Sequence, residues 1–124
     1  MRETVQAFKA LSDETRLRVL NLILERECCV CEVMQALQIS QSKASRHLSA
    51  LHDAGFLKLR KEGLWSHYSP DENMKDSLAD MLSAAKKSLS DNPVAALDKE
   101  RLKTAVRTGV CCTSTGMKTI PVSE

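Results

Sequence analysis

Glu27-Cys28-Cys29-Val30-Cys31-Glu32 places three thiols within four residues. Thiolates select soft metals and metalloids, whereas imidazole and carboxylate suit harder ions. Ser40-Gln41-Ser42-Lys43-Ala44-Ser45-Arg46-His47-Leu48 follows a few residues downstream and has the composition of a helix that meets DNA. A soft-ion trap beside a reading head implies a sensor that leaves DNA when its thiolates are occupied. Two further cysteines, Cys111 and Cys112, are vicinal and near the C-terminus. Cys28 and Cys31 also make a C-x-x-C spacing, but the βαβ context of a thioredoxin-like redox motif is missing. Reversible thiol oxidation remains an alternative use of the same sulfurs.

The elements that must position these groups are read from periodicity. Val5, Phe8 and Leu11 predict a short amphipathic helix over about 4–11. Ser12 is the expected N-cap of a second helix, with Asp13 and Glu14 in its first turn and an apolar stripe to about Arg26. A third helix is expected from Val30 to Leu37, then a turn at Gln38-Ile39-Ser40. Ser40 caps a fourth helix that buries Ala44, Leu48 and Leu51 and stops at Gly55. A helix, a three-residue turn and a second helix match the helix-turn-helix pattern, in which the second helix enters the major groove. From Phe56 the period changes to two around Lys61-Glu62-Gly63-Leu64, which predicts a β-hairpin and, directly after a reading helix, a basic wing. Pro70-Asp71 is expected to open a long helix whose stripe of Met74, Leu78, Met81 and Leu82 has no evident partner in so small a core and is assigned to a dimer interface. Asn92-Pro93 opens a last helix to about Arg107, and Thr, Ser and Gly content predicts a mobile tail beyond Gly109.

The fold expected is therefore mainly α with a small β-hairpin, a homodimeric winged helix-turn-helix. Residues 1–91 form the DNA-binding and dimerisation domain, and 92–124 a C-terminal helix and tail. A chain of 124 residues allows one modest core. Aromatic content of 3% leaves that core to aliphatic helices. Net charge is only +2, yet residues 41–68 hold Lys43, Arg46, Lys58, Arg60 and Lys61 against Asp53 and Glu62 alone, so the positive excess is local, as expected where a segment meets phosphates. No apolar leader or membrane-length window is evident, which predicts a cytoplasmic protein with no membrane partner. Five cysteines in a reducing compartment speak for metal binding or thiol chemistry rather than disulfides.

Four segments in order, Phe8 to Leu17, Cys29 to Val33, Ser40 to Leu48 and Gly63 to Tyr68, give the chain from about Phe8 to Leu89 its resemblance to the ArsR/SmtB family of winged-helix metalloregulators, in particular its arsenic-responsive repressors. The resemblance implies a homodimer that occupies operator double-stranded DNA when metal-free and dissociates on binding As(III) or Sb(III), with no organic cofactor. It implies that Cys29 and Cys31 of a Cys-Val-Cys motif are ligands. The family's further cysteine is replaced here by Met34. The third sulfur is then Cys28, or Cys111 or Cys112 if the tail reaches back; Cys28 is preferred, because fixing a tail costs about 1–2 kcal/mol of backbone entropy per residue. Successive helical residues are about 100° apart, so Cys28 and Cys31 share a face while Cys29 and Cys31 point nearly opposite ways, and an ion held by the latter pair must sit at a helix end or deform the first turn.

Gln41 and Ser42, near the helix N-terminus, are the candidates for base edges; Lys43, Arg46, Arg60 and Lys61 for phosphates; Ser45 shares the face and His47 touches phosphate or packs within the motif. The long helix has no histidine, and Asp76 and Asp80 are insufficient for the harder-ion site that zinc and cobalt sensors of the family carry there. Rivals are a cadmium, lead or zinc sensor using the same thiols, and a thiol enzyme such as an arsenate reductase. The latter lacks a phosphate-cradling loop and an activated nucleophile.

Overall fold

The computed structural model describes residues 1–106. Nine elements follow in order: α1 (Arg2–Leu11), α2 (Glu14–Glu25), β1 (Cys28–Cys29), α3 (Val30–Leu37), α4 (Gln41–Asp53), β2 (Leu57–Glu62), β3 (Trp65–Pro70), α5 (Asp76–Ser88) and α6 (Pro93–Thr104). The core is drawn from α2, α3 and α4, with Val19, Leu20, Leu22, Ile23, Val33, Leu48 and Leu51 essentially without solvent contact and Phe56 sealing the exit of α4. It is the winged helix-turn-helix expected, mostly helical with a small antiparallel sheet.

Three local expectations are corrected. The N-cap of α2 is Asp13, whose carboxylate accepts from the Arg16 N–H at 3.0 Å; Ser12 instead donates its hydroxyl to the Lys9 carbonyl at 2.8 Å and closes α1. α5 begins at Asp76 rather than at Pro70-Asp71, because Pro70 pairs with Leu57 as the last residue of β3 and Asp71 then forms a turn, accepting from the Asn73 N–H at 2.9 Å. The hairpin is part of a three-stranded sheet in the order β1-β3-β2, with Cys28 opposite Tyr68 and Cys29 opposite His67. A two-residue strand is too short to show an alternating pattern. Other signals hold: Ser40 caps α4 by accepting from the Lys43 N–H at 3.2 Å, and Gly55 takes φ +98°, which a side chain would resist.

The apolar stripe on α5 does have a partner within the protomer, contrary to expectation. Leu82 is buried, and Met74, Leu78 and Met81 pack partly against the same core. Larger exposed apolar side chains lie on α1, where Val5 and Phe8 are 46% and 58% exposed. The expected boundary at residues 91 and 92 falls between α5 and α6, and α6 packs on α2 and α3. Its clamp is a two-pronged ion pair: Arg18 Nε and Nη2 donate to Asp98 at 2.8 and 2.9 Å, and Asp98 is fully buried.

Candidate thiol site and nucleic-acid interface

Geometry at the thiols follows from where the chain changes conformation. Arg26 leaves α2 in an extended conformation, and β1 continues it beside β3. Alternation along a strand sends neighbouring side chains to opposite faces. Cys28 is turned back toward the end of α2, where its thiol donates to the Arg26 carbonyl at 3.3 Å. Cys29 is the N-cap of α3, still extended at φ −94° and ψ 171°, and Cys31 lies in the first turn. Their sulfurs meet at 2.7 Å, in hydrogen-bond contact. The helical-wheel expectation is thus corrected: Cys29 and Cys31 converge because Cys29 is not yet helical, and Cys28 is the thiol that diverges. All three are fully buried.

Glu32 and Arg26 hold this arrangement. Glu32 Oε1 accepts from the Cys29 N–H at 2.8 Å, completing a capping box in which cysteine stands in place of serine or threonine. Glu32 Oε2 accepts from Arg26 Nη1 at 2.9 Å, while Arg26 Nη2 donates to the Leu102 carbonyl of α6 at 3.1 Å. Burial works to lower the Arg26 pKa, but the hydrogen bond and charge of Glu32, helped by Cys28 and Cys29, raise it above its ordinary value. Sequence reasoning missed both residues. The signal was present in the Cys-x-x-Glu spacing before an apolar run. Among the described residues no three His, Cys, Asp or Glu side chains converge to hold one ion. Cys111 and Cys112 lie outside the described residues.

α3 and α4 form the helix-turn-helix, joined through Gln38 in the left-handed region at φ 58°. Ser42, Lys43 and Arg46 are exposed, and Gln41 and Ser45 half-buried at the same end and face of α4. His47 is half-buried and packs within the motif, its Nδ1 accepting from Arg16 Nε at 3.3 Å. Burial first, then the charges of Arg16, Arg46 and Lys43, lower its pKa against the opposing pull of Asp13. In the wing Lys61 is exposed, but Arg60 is engaged by carboxylates, Glu27 at 2.9 Å and Glu62 at 3.2 Å. Those hydrogen bonds, Glu27's the larger, raise the Arg60 pKa. Glu27 immediately precedes the thiols, so the wing and the thiol segment share both a sheet and an ion pair.

The family described as "Bacterial regulatory protein, arsR family" matches residues 13–59, from the cap of α2 into β2. The chain is 51% identical over 65 residues to an arsenical resistance operon repressor of Escherichia coli strain K12, a match covering 52% of this chain and 56% of that protein, little more than half its length. It is 40% identical over 114 residues to the arsenic resistance transcriptional regulator ArsR2 of Pseudomonas putida, covering 85% of this chain and 94% of that one. Reduced HlyU from Vibrio cholerae is similar in structure, with a TM-score of 0.60 and 29% identity over 70% of this chain and 88% of HlyU. With the helix-turn-helix and wing in place and a relative matched over nearly its whole length, the chain belongs to the arsR family of bacterial regulatory proteins and is a winged helix-turn-helix transcriptional regulator, not an enzyme.

Proposed function

We propose that the protein is a cytoplasmic, homodimeric repressor of a metalloid-resistance operon, released from its operator when As(III) or Sb(III) takes the thiolates of Cys29 and Cys31. The observation that carries this reading is the meeting of those two sulfurs at the N-terminus of α3, the helix that supports the reading helix α4. Each thiol displaces one hydroxide from the trihydroxy form of As(III), releasing one water per As–S bond with no change of oxidation state. Both thiols sit at the junction of β1 and α3, so seating one ion on them acts on the first turn of α3 and, through the pairing of β1 with β3, on the wing.

Gln41 and Ser42 are assigned to base edges and Lys43, Ser45, Arg46 and Lys61 to the phosphate side of the interface. The dimer is assigned to the exposed apolar face of α1 together with the partly exposed Met74, Leu78 and Met81 of α5. The test uses duplex selected from a random pool by the reduced protein, titrated with arsenite, antimonite, cadmium, lead and zinc. Arsenite or antimonite is expected to release the native dimer at the lowest concentration, and Cys29→Ser or Cys31→Ser to bind the duplex and no longer respond. Release of both variants at the native arsenite concentration would remove this site. A second reading, a soft divalent sensor or a thiol-redox switch, is favoured by the same sulfur contact. Stronger release by cadmium, or by a mild oxidant without metalloid, would select it.

A further inference from the structure

His67 is a buried histidine with no part in the thiol pair or in DNA contact. Its side chain has no solvent contact, and neither ring nitrogen has a hydrogen-bond partner among the described residues. A buried polar group left unpaired costs about 1–3 kcal/mol, so an orphaned ring calls for an explanation. Its position supplies one. In the register of the sheet His67 stands directly opposite Cys29, and such residues of an antiparallel pair share a face with their Cβ atoms about 4.5–5.5 Å apart. The imidazole therefore rises from the face on which Cys29 meets Cys31, while Cys28 and Tyr68 take the other. Nε2 of the ring lies 3.4 Å from Glu62 Oε1, near enough for an ion pair but outside hydrogen-bond geometry, and Arg60 holds the same carboxylate oxygen at 3.2 Å. Trp65 packs edge-on against the ring, with centroids 6.2 Å apart. A metal-binding histidine commonly turns its second nitrogen toward a carboxylate, which fixes the ring and its tautomer. Nε2 toward Glu62 leaves Nδ1, the nitrogen nearer the backbone, for an ion.

Resting on the thiol pair assigned above but not on its metalloid, we propose that Cys29, Cys31 and His67 Nδ1 form a mixed sulfur and nitrogen site for a borderline divalent cation of the zinc(II) class, with Glu62 orienting the ring. As folded, the three donors do not converge on one point. Rotation about the side-chain bonds of His67 brings its ring to the thiols with the pairing of β1 and β3 kept. Two thiolates cancel the charge of a dication and a neutral imidazole adds none, so the ion leaves no net charge in a buried place. Zinc takes cysteine and histidine together in tetrahedral sets, at about 2.3 Å to sulfur and 2.0–2.1 Å to nitrogen, and the fourth position here goes to water. As(III), a softer centre, is served by sulfur and draws nothing from the ring. Loading displaces the two thiol protons into solvent with no change of oxidation state. The divalent ion then fastens the first turn of α3 directly to the middle strand of the sheet, a bond that arsenite on the two thiols does not make.

Zinc and arsenite are titrated separately into the reduced full-length protein, and zinc X-ray absorption counts sulfur and imidazole ligands. Native protein is expected to show imidazole beside sulfur. His67→Gln is expected to lose the imidazole and at least about tenfold in zinc affinity, while binding arsenite within about twofold of native protein, which shows the thiol pair intact. Glu62→Gln is expected to weaken zinc by less and to keep the imidazole. His67→Cys is expected to put a further sulfur on zinc in place of nitrogen. A native zinc shell without imidazole, an unchanged zinc affinity in His67→Gln, or an equal loss there for zinc and arsenite would overturn the proposal. Should His67→Gln not fold, a His67→Cys shell that still contains imidazole would do so. Failure of the metalloid reading looks different: Cys29→Ser with Cys31→Ser would then bind arsenite as tightly as native protein.

Discussion

Asp98 makes an informative perturbation, because it decides whether α6 is an integral part of the domain. Asp98→Ala removes two charge-assisted hydrogen bonds to Arg18, at 2.8 and 2.9 Å, from a site with no solvent contact. Hydrogen bonds to charged groups contribute about 1.5–3 kcal/mol, and stranding one partner of a buried pair costs about 3–5 kcal/mol. The side chain of Arg18 is 24% exposed and that of Asp98 is 0% exposed, so the two halves of the pair are not equivalent. Losing Asp98 leaves a guanidinium that can turn toward water, for a cost of about 2–3 kcal/mol. Losing Arg18 leaves a carboxylate with no water to turn to, for about 3–5 kcal/mol. For a chain of this size 1 kcal/mol moves the melting temperature by roughly 3–5 °C. Asp98→Ala is therefore expected to lower it by about 6–15 °C, and Arg18→Ala by more. Thermal unfolding followed by circular dichroism measures both, at one fixed protomer concentration because dimer association shifts the midpoint. Changes under about 0.5 kcal/mol, or an Asp98→Ala variant less stable than Arg18→Ala, would refute the reasoning and return α6 to the status of an appendage.

Lys43→Ala and Arg46→Ala should each reduce the salt slope of operator binding by about one unit, while Arg60→Ala changes it by less than half as much, because Glu27 and Glu62 already neutralise that guanidinium; binding isotherms at several salt concentrations separate them. His47 has a folded-state pKa below its ordinary 6.5, so the unfolded chain takes up the proton first and stability falls as pH drops through about 6.5 toward the lowered value. Denaturant unfolding of native protein and His47→Gln across that window should show the slope only in the former. Leu82→Ala should cost about 2–5 kcal/mol as a core truncation, whereas Phe8→Ser should leave the protomer nearly as stable and weaken self-association, which sedimentation at falling concentration would show.

Much of the reading head was legible from the amino-acid sequence because its determinants are local. The apolar spacing of Ala44, Leu48 and Leu51, the Ser40 cap, the Gly55 stop and the period of two after Phe56 each act over a few residues, and each element formed where those signals place it. The nearness of a thiol cluster to that head was legible for the same reason. Which thiols meet was named by the resemblance to a Cys-Val-Cys motif, but helical spacing pointed to the wrong pair. Cys29 faces Cys31 because β1 is held extended by β3, whose partners Tyr68 and His67 lie about forty residues away, and no periodicity within 28–31 records that pairing. Sequence separation likewise hid the partner of Arg60, which reads as a phosphate contact until folding brings Glu27 to it across 33 positions. Leu82 on the α5 stripe reads as an interface residue while its neighbours are unknown and becomes core once α5 packs. The seat of α6 depends on Arg18 and Asp98, 80 residues apart, and of itself a lone aspartate on a polar helix predicts only solvent. Sequence determined the elements through short-range sterics, capping and hydrophobic period; the tertiary structure alone decided which side chains of different elements share a space, and hence which sulfurs pair and which charges remain for DNA.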